Sequence, residues 1–170
     1  METVYLFREA APDEVSQVFS LILKRMRWMD EKGIRQWNVT RYNEAYPQSY
    51  YAKRQRQREL FVLTNPQTDE VIGAAVLKQS DERWTDDAPA MYLHNFVTKV
   101  GSHGAGNTFL NCAEAYAASM GKVYIRLDSA EGNRALGRYY EEHGYLSAGT
   151  CEEGLYRGIL RQKLLKTTDS

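Results

Sequence analysis

The sequence predicts an α+β fold in which helices flank a central mixed, mostly antiparallel sheet. Three β-type segments follow one another at residues 60–64 (LFVLT), 71–78 (VIGAAVLK) and 91–97 (MYLHNFV). They are joined by turns rather than helices, which is typical of an antiparallel meander. A glycine-rich loop, a helical pattern and a further β-type segment come next. The meander therefore leads into a strand–loop–helix–strand unit.

The N-terminal part is predicted to contain a strand and an amphipathic helix. Residues 4–7 (VYLF) are a strand candidate, and Pro12 suits the first turn of a helix because its missing N–H costs nothing there. Apolar residues at three- and four-residue steps then mark one helical face: Val15, Val18, Phe19, Ile22, Met26 and Met29. Gly33 is expected to end this helix.

An aromatic-rich segment separates this helix from the meander. It is interrupted by Pro47 and predicts a loop with a short helix. Its side chains suit either the edge of the core or the wall of a substrate cleft. The candidates for such a wall are Trp37, Tyr42, Tyr46 and Trp84. Within the meander, Gly73 marks a bulge or a close backbone approach.

The C-terminal half is predicted to alternate helices and strands. The helix after the glycine loop ends at Gly121, residues 123–127 (VYIRL) form a strand, and residues 128–133 (DSAEGN) form a loop. Asn133 is a good N-cap for a helix over residues 134–143, which Gly144 closes. Residues 155–165 have β character.

Size and composition favour one globular domain over residues 1–170. No apolar run approaches the ~20 residues that span a bilayer, and the first residues lack the pattern of a signal peptide. Cys112 and Cys151 show no CxxC spacing, so we expect free thiols, no metal site and a cytoplasmic location. With 22 basic and 22 acidic residues, no net field attracts nucleic acid.

Residues 100–108 (VGSHGAGNT) resemble three kinds of phosphate-binding loop. A P-loop requires lysine where Asn107 stands, and without it the contact to the β- and γ-phosphates is lost. A dinucleotide-binding loop is suggested by Asp128, which lies 22 residues beyond Gly106. However, the glycine spacing is wrong, and Phe109 would occupy the position where the helix must approach the strand closely. The third possibility, a coenzyme A pyrophosphate loop, needs only free N–H groups at a helix N-terminus; a plain turn is the alternative.

A second motif makes the pattern specific. The order GAG, helix, VYIRLD and then N-x₆-Y-x₃-G-Y, which contains Asn133 and Tyr140, resembles the GCN5-related N-acetyltransferases (GNAT family). The VIGAAVL and MYLHNFV strands resemble the central meander of that family, and GIRQWN resembles a segment of its bacterial small-molecule members. The resemblance runs from about Val4 to Leu164. It implies a GNAT-like acyl-CoA N-acyltransferase fold and transfer of an acetyl group from acetyl-CoA to an amine.

The resemblance also implies a set of cofactor-binding residues. The loop residues that would hold the pyrophosphate are Ser102, His103, Gly104, Ala105, Gly106 and Asn107. Backbone N–H groups at the end of the MYLHNFV strand, over Phe96, Val97 and Thr98, would polarise the thioester carbonyl where two strands splay apart. Asn133 would bind the pantetheine arm or cap its helix. Gly101 departs from the family pattern, which has Arg or Gln at this position.

Tyr140 and His94 are the catalytic candidates. Tyr140 matches the family position that protonates the thiolate, a role that suits a phenol with a pKa of ~10. His94 is the nearest candidate for the base that deprotonates the amine, although a water route or a structural role would also fit a lone strand histidine. His103 suits a surface or phosphate-side position, and His143 suits a cation at a helix C-terminus.

Two alternatives to an acetyltransferase remain open at this point. The chain is compatible with a non-catalytic acyl-CoA-binding or regulatory domain, and less well with a nicotinamide-dinucleotide-binding oxidoreductase. The expected acceptor is a small-molecule amine, with neither nucleic acid nor membrane as a partner. A homodimer that pairs through the C-terminal strands is compatible with the sequence.

Overall fold

The computed structural model describes residues 4–165; residues 1–3 and 166–170, the two ends of the predicted domain, lie outside it. Seven strands are formed: β1 (Leu6–Glu9), β2 (Leu60–Thr64), β3 (Val71–Lys78), β4 (Ala90–Thr98), β5 (Tyr124–Ala130), β6 (Leu146–Glu153) and β7 (Tyr156–Leu164). The helices are α1 (Val15–Lys32), α2 (Tyr42–Ala45), α3 (Gln48–Arg56), α4 (Ala105–Ser119) and α5 (Arg134–Glu142), with a 3-10 turn at Pro12–Glu14. None of the helices in residues 4–165 has the length and apolar character needed to cross a bilayer.

All seven strands belong to one mixed sheet with the order β1-β2-β3-β4-β5-β7-β6. Strands β1 to β4 are antiparallel neighbours, which confirms the predicted meander. The pair β4–β5 is parallel, because α4 carries the chain across the sheet between them. Strands β5, β7 and β6 are again antiparallel. The predicted fold class is therefore confirmed.

Helix α1 begins and ends where the sequence indicates. The Glu14 carboxylate accepts a hydrogen bond from the Ala11 N–H at 2.8 Å and a bidentate pair from Arg8, which ties the helix start to β1. The end is set by Gly33, whose φ of 70° lies in the left-handed region that glycine adopts without strain.

The helices pack against both faces of the sheet and create two apolar cores. Buried residues of α1 and α3, such as Ile22 and Tyr51, contact one face. Residues of α4 and α5, with Phe109 fully buried among them, contact the other. A Cβ at Gly73 would lie 3.4 Å from the Val97 carbonyl oxygen and 3.5 Å from Phe109. The predicted close approach at Gly73 is thus confirmed, and the β2–β3 register shift beside it adds a bulge.

Three parts of the sequence-based prediction were incomplete. The aromatic segment forms two helices, α2 and α3, rather than a loop with a short helix. Residues 128–130, expected in a loop, extend β5 because β7 pairs with them as far as Gly158. Strand β6 was not predicted: it is an edge strand with an almost entirely exposed surface, so it lacks the alternation of buried and exposed residues that marks a strand.

Candidate active site

A gap opens in the middle of the sheet between β4 and β5. The two strands pair only from Ala90 to Tyr92, opposite Tyr124 to Arg126. Beyond that point β4 continues to Thr98 paired with β3 alone, and β5 continues to Ala130 paired with β7 alone. The edge of β4 over residues 93–98 therefore faces a cleft of about 780 Å³. This is the splay that the family resemblance implies.

Asn95 bends β4 at the gap. Its φ of 56° is left-handed, a conformation that asparagine tolerates better than most residues, and the β3–β4 register shifts beside it. The Asn95 side chain accepts a hydrogen bond from the Tyr50 hydroxyl at 2.8 Å and donates one to the Tyr42 hydroxyl. The aromatic segment thus holds the strand in its bent form.

The glycine loop places the N-terminus of α4 at one end of this cleft. Gly101 and Gly104 have φ values of 85° and 81°, and Gly104 is the N-cap residue. No side chain caps the helix there, so the N–H groups of Gly106 and Asn107, which line the cleft, are available to an anion. Ala105 itself is buried in the core.

Ser102 and His103 differ in whether they can contact a ligand. The Ser102 N–H donates to the Lys99 carbonyl at 3.1 Å, so this amide is already used within the chain. His103 is exposed at the rim of the cleft. The part of the predicted pyrophosphate site with available amides is therefore the first turn of α4.

Helix α5 is bound to the start of α4. The Tyr139 hydroxyl donates to Asn107 Oδ1 at 2.9 Å, and His143 Nε2 lies 2.9 Å from the same oxygen. A Cβ at Gly106 would lie 2.8 Å from the Tyr139 hydroxyl. Glycine at this position therefore leaves room for the close approach of the Tyr139 hydroxyl.

Tyr140 is buried in α5 and lines the cleft. Burial raises the pKa of its phenol, and the neighbouring Tyr139 adds to the effect, so the hydroxyl stays protonated at neutral pH. Among the described residues it has no hydrogen-bond partner. The cleft therefore contains a neutral O–H donor that is available to a ligand.

Asn133 caps α5 as predicted, since its Oδ1 accepts from the Leu136 N–H at 3.1 Å. Its Nδ2 donates to Gln36 Oε1 at 2.8 Å, which links α5 to the segment after α1. Both Asn133 and Gln36 line the cleft. The sequence offered no signal for Gln36, because 97 residues separate it from Asn133.

His94 lines the cleft on β4 and is paired with Asp81. His94 Nε2 lies 2.9 Å from Asp81 Oδ2, and the other carboxylate oxygen accepts from the Arg83 N–H at 2.9 Å. Burial disfavours ionisation of Asp81, but these hydrogen bonds outweigh burial and leave its pKa below the usual value. Because Nε2 is bound to Asp81, Nδ1 is the ring nitrogen that a ligand can use.

Arg83 and Asp128 form a charged group beside His94. The Arg83 guanidinium binds Asp128 at 3.2 Å and also contacts Glu153, while the Tyr156 hydroxyl donates to Asp128. Asp128 was the candidate ribose-binding acid of a dinucleotide site. Its carboxylate is instead engaged by Arg83 and Tyr156.

Asp81, His94 and Asp128 each bring one ligand atom within 4.8 Å of the others, a spacing that could suit a metal ion. Asp81 is paired with His94 and Asp128 with Arg83. These protein partners account for the carboxylates without an ion, and the sequence-based expectation of no metal remains a prediction.

Three of the four aromatic candidates line the cleft: Trp37, Tyr42 and Tyr46. Trp37 stacks on Tyr42 with ring centroids 4.3 Å apart. Trp84 does not belong to this wall, because its ring packs under the Arg126 guanidinium at 4.2 Å. The cleft thus has an anion-binding end at α4 and an aromatic, charged end beside His94.

A mixed sheet that splays apart beside an uncapped, glycine-led helix N-terminus defines the acyltransferase class of fold. The chain belongs to the GNAT acetyltransferase family, because the family model described as "Acetyltransferase (GNAT) family" matches residues 29–145. Members of this family transfer acetyl groups from acetyl-CoA, which makes an oxidoreductase or nucleotide hydrolase incompatible with the family assignment.

Solved structures of GNAT proteins share this fold. A GNAT family acetyltransferase of Listeria monocytogenes is 23% identical with a TM-score of 0.76 over 95% of both chains. The PaiA N-acetyltransferase of Thermoplasma acidophilum, solved with coenzyme A, is 13% identical with a TM-score of 0.73 over 95% of this chain and 99% of that one. A Streptococcus agalactiae GNAT acetyltransferase is 18% identical with a TM-score of 0.71 over 96% of each. No curated protein matches the sequence.

Proposed function

We propose that this protein is an N-acetyltransferase that transfers the acetyl group of acetyl-CoA directly to the primary amine of a small molecule. The observation that carries the proposal is the gap between β4 and β5, which leads from the N–H groups of α4 to the Tyr140 hydroxyl. Such a gap exposes backbone donors along β4 to an extended ligand. A closed sheet would present none.

The two ends of the cleft suit the two substrates. The first turn of α4, together with the loop before it, would hold the pyrophosphate by backbone N–H groups and the positive end of the helix dipole. Backbone N–H groups of Phe96 and Thr98, on the open edge of β4, would bind the pantetheine arm and polarise the thioester carbonyl. The Val97 N–H faces β3 instead, because it lies on the same edge as the Lys99 N–H, which donates to the Ile72 carbonyl at 2.7 Å. The acceptor amine would enter from the end lined by Trp37, Tyr42 and Tyr46.

His94 would accept the proton of the incoming ammonium through Nδ1, with Asp81 holding the ring in orientation. Because the free amine has a pKa of ~10, this proton must leave before nitrogen can attack. The nitrogen lone pair then forms the C–N bond at the thioester carbon, the nitrogen loses its second proton to solvent, and the C–S bond breaks. The departing thiolate takes its proton from Tyr140, which solvent later reprotonates.

The test of this mechanism is a coenzyme A release assay over a panel of amines, with wild type, Tyr140→Phe and Tyr116→Phe. Tyr116 lies on α4 and does not line the cleft, so its variant is the control. Loss of a general acid reduces turnover by ~10²–10⁴-fold. We expect this loss in Tyr140→Phe with unchanged affinity for acetyl-CoA. Unchanged turnover would remove Tyr140 from the mechanism.

The main alternative is a non-catalytic acyl-CoA-binding or regulatory domain. Gly101, which stands where the family pattern has Arg or Gln, is the observation that favours it. Such a protein would bind acetyl-CoA but release no coenzyme A with any amine.

We also infer a single domain, a cytoplasmic location and no role for nucleic acid, in line with the balanced charge of 22 basic and 22 acidic residues.

A further inference from the structure

Arg25 of α1 lies at the anion-binding end of the cleft. Its Nη2 donates to the Thr98 carbonyl at 2.8 Å and lies 3.2 Å from the Thr98 hydroxyl. Its guanidinium lies 4.7 Å from the centre of the Trp28 ring. Arg25, Trp28 and Thr98 all line the cleft. The guanidinium is therefore held where β4 ends and the glycine loop begins.

This guanidinium is half-buried and has no carboxylate partner among residues 4–165. The second arginine of the cleft, Arg83, differs because it is neutralised by Asp128 and Glu153. Burial lowers the pKa of Arg25, because its charge is partly removed from water. Its Nε and Nη1 donate to no described residue, so both remain available to a ligand.

The loop that follows carries no cation at its first position, which is Gly101. We infer that Arg25 supplies, from α1, the cationic contact to the pyrophosphate of acetyl-CoA that the glycine loop does not provide. The inference rests on the proposed function, since it names a further residue of the same cofactor site. A guanidinium suits this role because it carries a permanent charge and, with one Nη2 hydrogen bond made to Thr98, keeps N–H donors for a phosphate oxygen.

The position of Arg25 along β4 favours the pyrophosphate over the acceptor. Thr98 is three residues beyond Asn95, about 10 Å along a strand at ~3.3 Å per residue, and four residues before Ser102. The end of the cleft where the acetyl group would be transferred, beside His94 and Asp81, is therefore separated from Arg25 by this length of β4. The arginine at that end is Arg83, which is paired with Asp128.

The test compares Arg25→Gln and Arg25→Lys with Arg27→Gln, an exposed arginine of the same helix, as the control. Binding of coenzyme A, dephospho-coenzyme A and pantetheine is measured by calorimetry, with pantetheine followed by NMR titration at millimolar concentration. A charge-assisted contact predicts at least a tenfold rise in Kd in Arg25→Gln for both nucleotide ligands. Pantetheine affinity should not change, and Arg25→Lys should recover part of the loss.

Three results would overturn the inference. Equal affinity of Arg25→Gln and wild type for both nucleotide ligands would mean that Arg25 makes no such contact. A loss seen with coenzyme A but not with its dephospho form would assign Arg25 to the 3′-phosphate. An equal loss with pantetheine would mean that Arg25 acts only by positioning Thr98. Failure of the wild type itself to bind coenzyme A would instead contradict the proposed function.

Discussion

The contact of His94 with Asp81 fixes the orientation of a lone strand histidine at the edge of the cleft. The pKa of the Asp81 carboxyl group lies below its usual value, because its hydrogen bonds outweigh burial. The ionised carboxylate therefore holds His94 Nε2 across the pH range of an assay. We predict that His94→Gln reduces kcat/KM by ~10²-fold or more, the contribution of a general base. The variant should also change the pH dependence of kcat/KM, because glutamine cannot accept a proton.

The pH profile of kcat/KM measures this prediction, with Asp81→Asn as a second variant that disturbs the orientation of the ring and leaves its nitrogens in place. Asp81→Asn should retain more activity than His94→Gln. An unchanged rate and profile in His94→Gln would assign proton removal to water rather than to this histidine.

Sequence reasoning was most informative for residues tied to a local motif. Asn133 and Tyr140 were found because an N-cap and a seven-residue spacing lie within one helix. Asp81, Gln36 and Arg25 were not found, because each reaches the cleft only after distant segments fold together. A polar residue in the stretch SDERWTDD gives no local signal that it will contact a histidine of the next strand.

At the scale of elements, the contact of α5 with α4 predicts that Gly106→Ala destabilises the protein when Tyr139 is present and stabilises it when the Tyr139 hydroxyl is removed. Gly106→Ala places a Cβ 2.8 Å from the Tyr139 hydroxyl, and such overpacking costs ~1–3 kcal/mol. In a Tyr139→Phe background the nearest ring carbon, Cζ, lies 3.7 Å from this Cβ, which is an ordinary van der Waals contact. The helix propensity of alanine over glycine, ~1 kcal/mol, should then make it stabilising.

Chemical denaturation of the two single variants and the double variant measures this coupling as a double-mutant cycle. The cycle is expected to give a favourable interaction energy between alanine at position 106 and phenylalanine at position 139. Additive effects of the two substitutions would show that the helices are not held together at this distance.

The β1–α1 junction predicts a pH dependence of stability. Hydrogen bonds from Arg8 hold the pKa of Glu14 below its usual value against the effect of burial. A lowered folded-state pKa stabilises the protein above the unfolded pKa of ~4.3, and this contribution is lost as the pH falls through the folded value. Glu14→Gln should therefore be less stable than wild type at neutral pH and should converge with it in acid.

We expect a loss of about 1 kcal/mol at pH 7, below the ~1.5–3 kcal/mol of a charged hydrogen bond, because the Arg8 side chain is 36% exposed. Denaturation midpoints between pH 3 and pH 7 measure it, with the exposed Asp13→Asn as the control. A constant difference between wild type and Glu14→Gln across this range would contradict the linkage.

Elements with buried, periodic side chains were predicted well, whereas exposed ones were not. Strands β2 and β3 are almost wholly buried and apolar, so both were identified at their observed bounds. Strand β6 owes its structure to pairing with β7, and its own residues carry no burial pattern. Long-range pairing of this kind is not encoded in a local window.

For the molecule as a whole, the sheet joins two cores that should unfold together. Phe109 lies in the core of α4 and α5 and Ile22 in the core of α1 and α3. Truncation to alanine should cost ~3–5 and ~2–5 kcal/mol respectively. If the chain is one domain, both variants show a single thermal transition at a lower Tm; two separate transitions would contradict the single-domain proposal.

Acetyl-CoA binding in the gap between β4 and β5 is the central claim, and a thermal-shift titration tests it most directly. Acetyl-CoA, ATP and NADP are titrated in parallel against the full chain. A ligand specific for the folded state stabilises it by ~2.7 kcal/mol at a hundredfold excess over Kd. We predict a rise in Tm with acetyl-CoA alone; no shift with acetyl-CoA, or an equal shift with NADP, would contradict the assignment of this cleft.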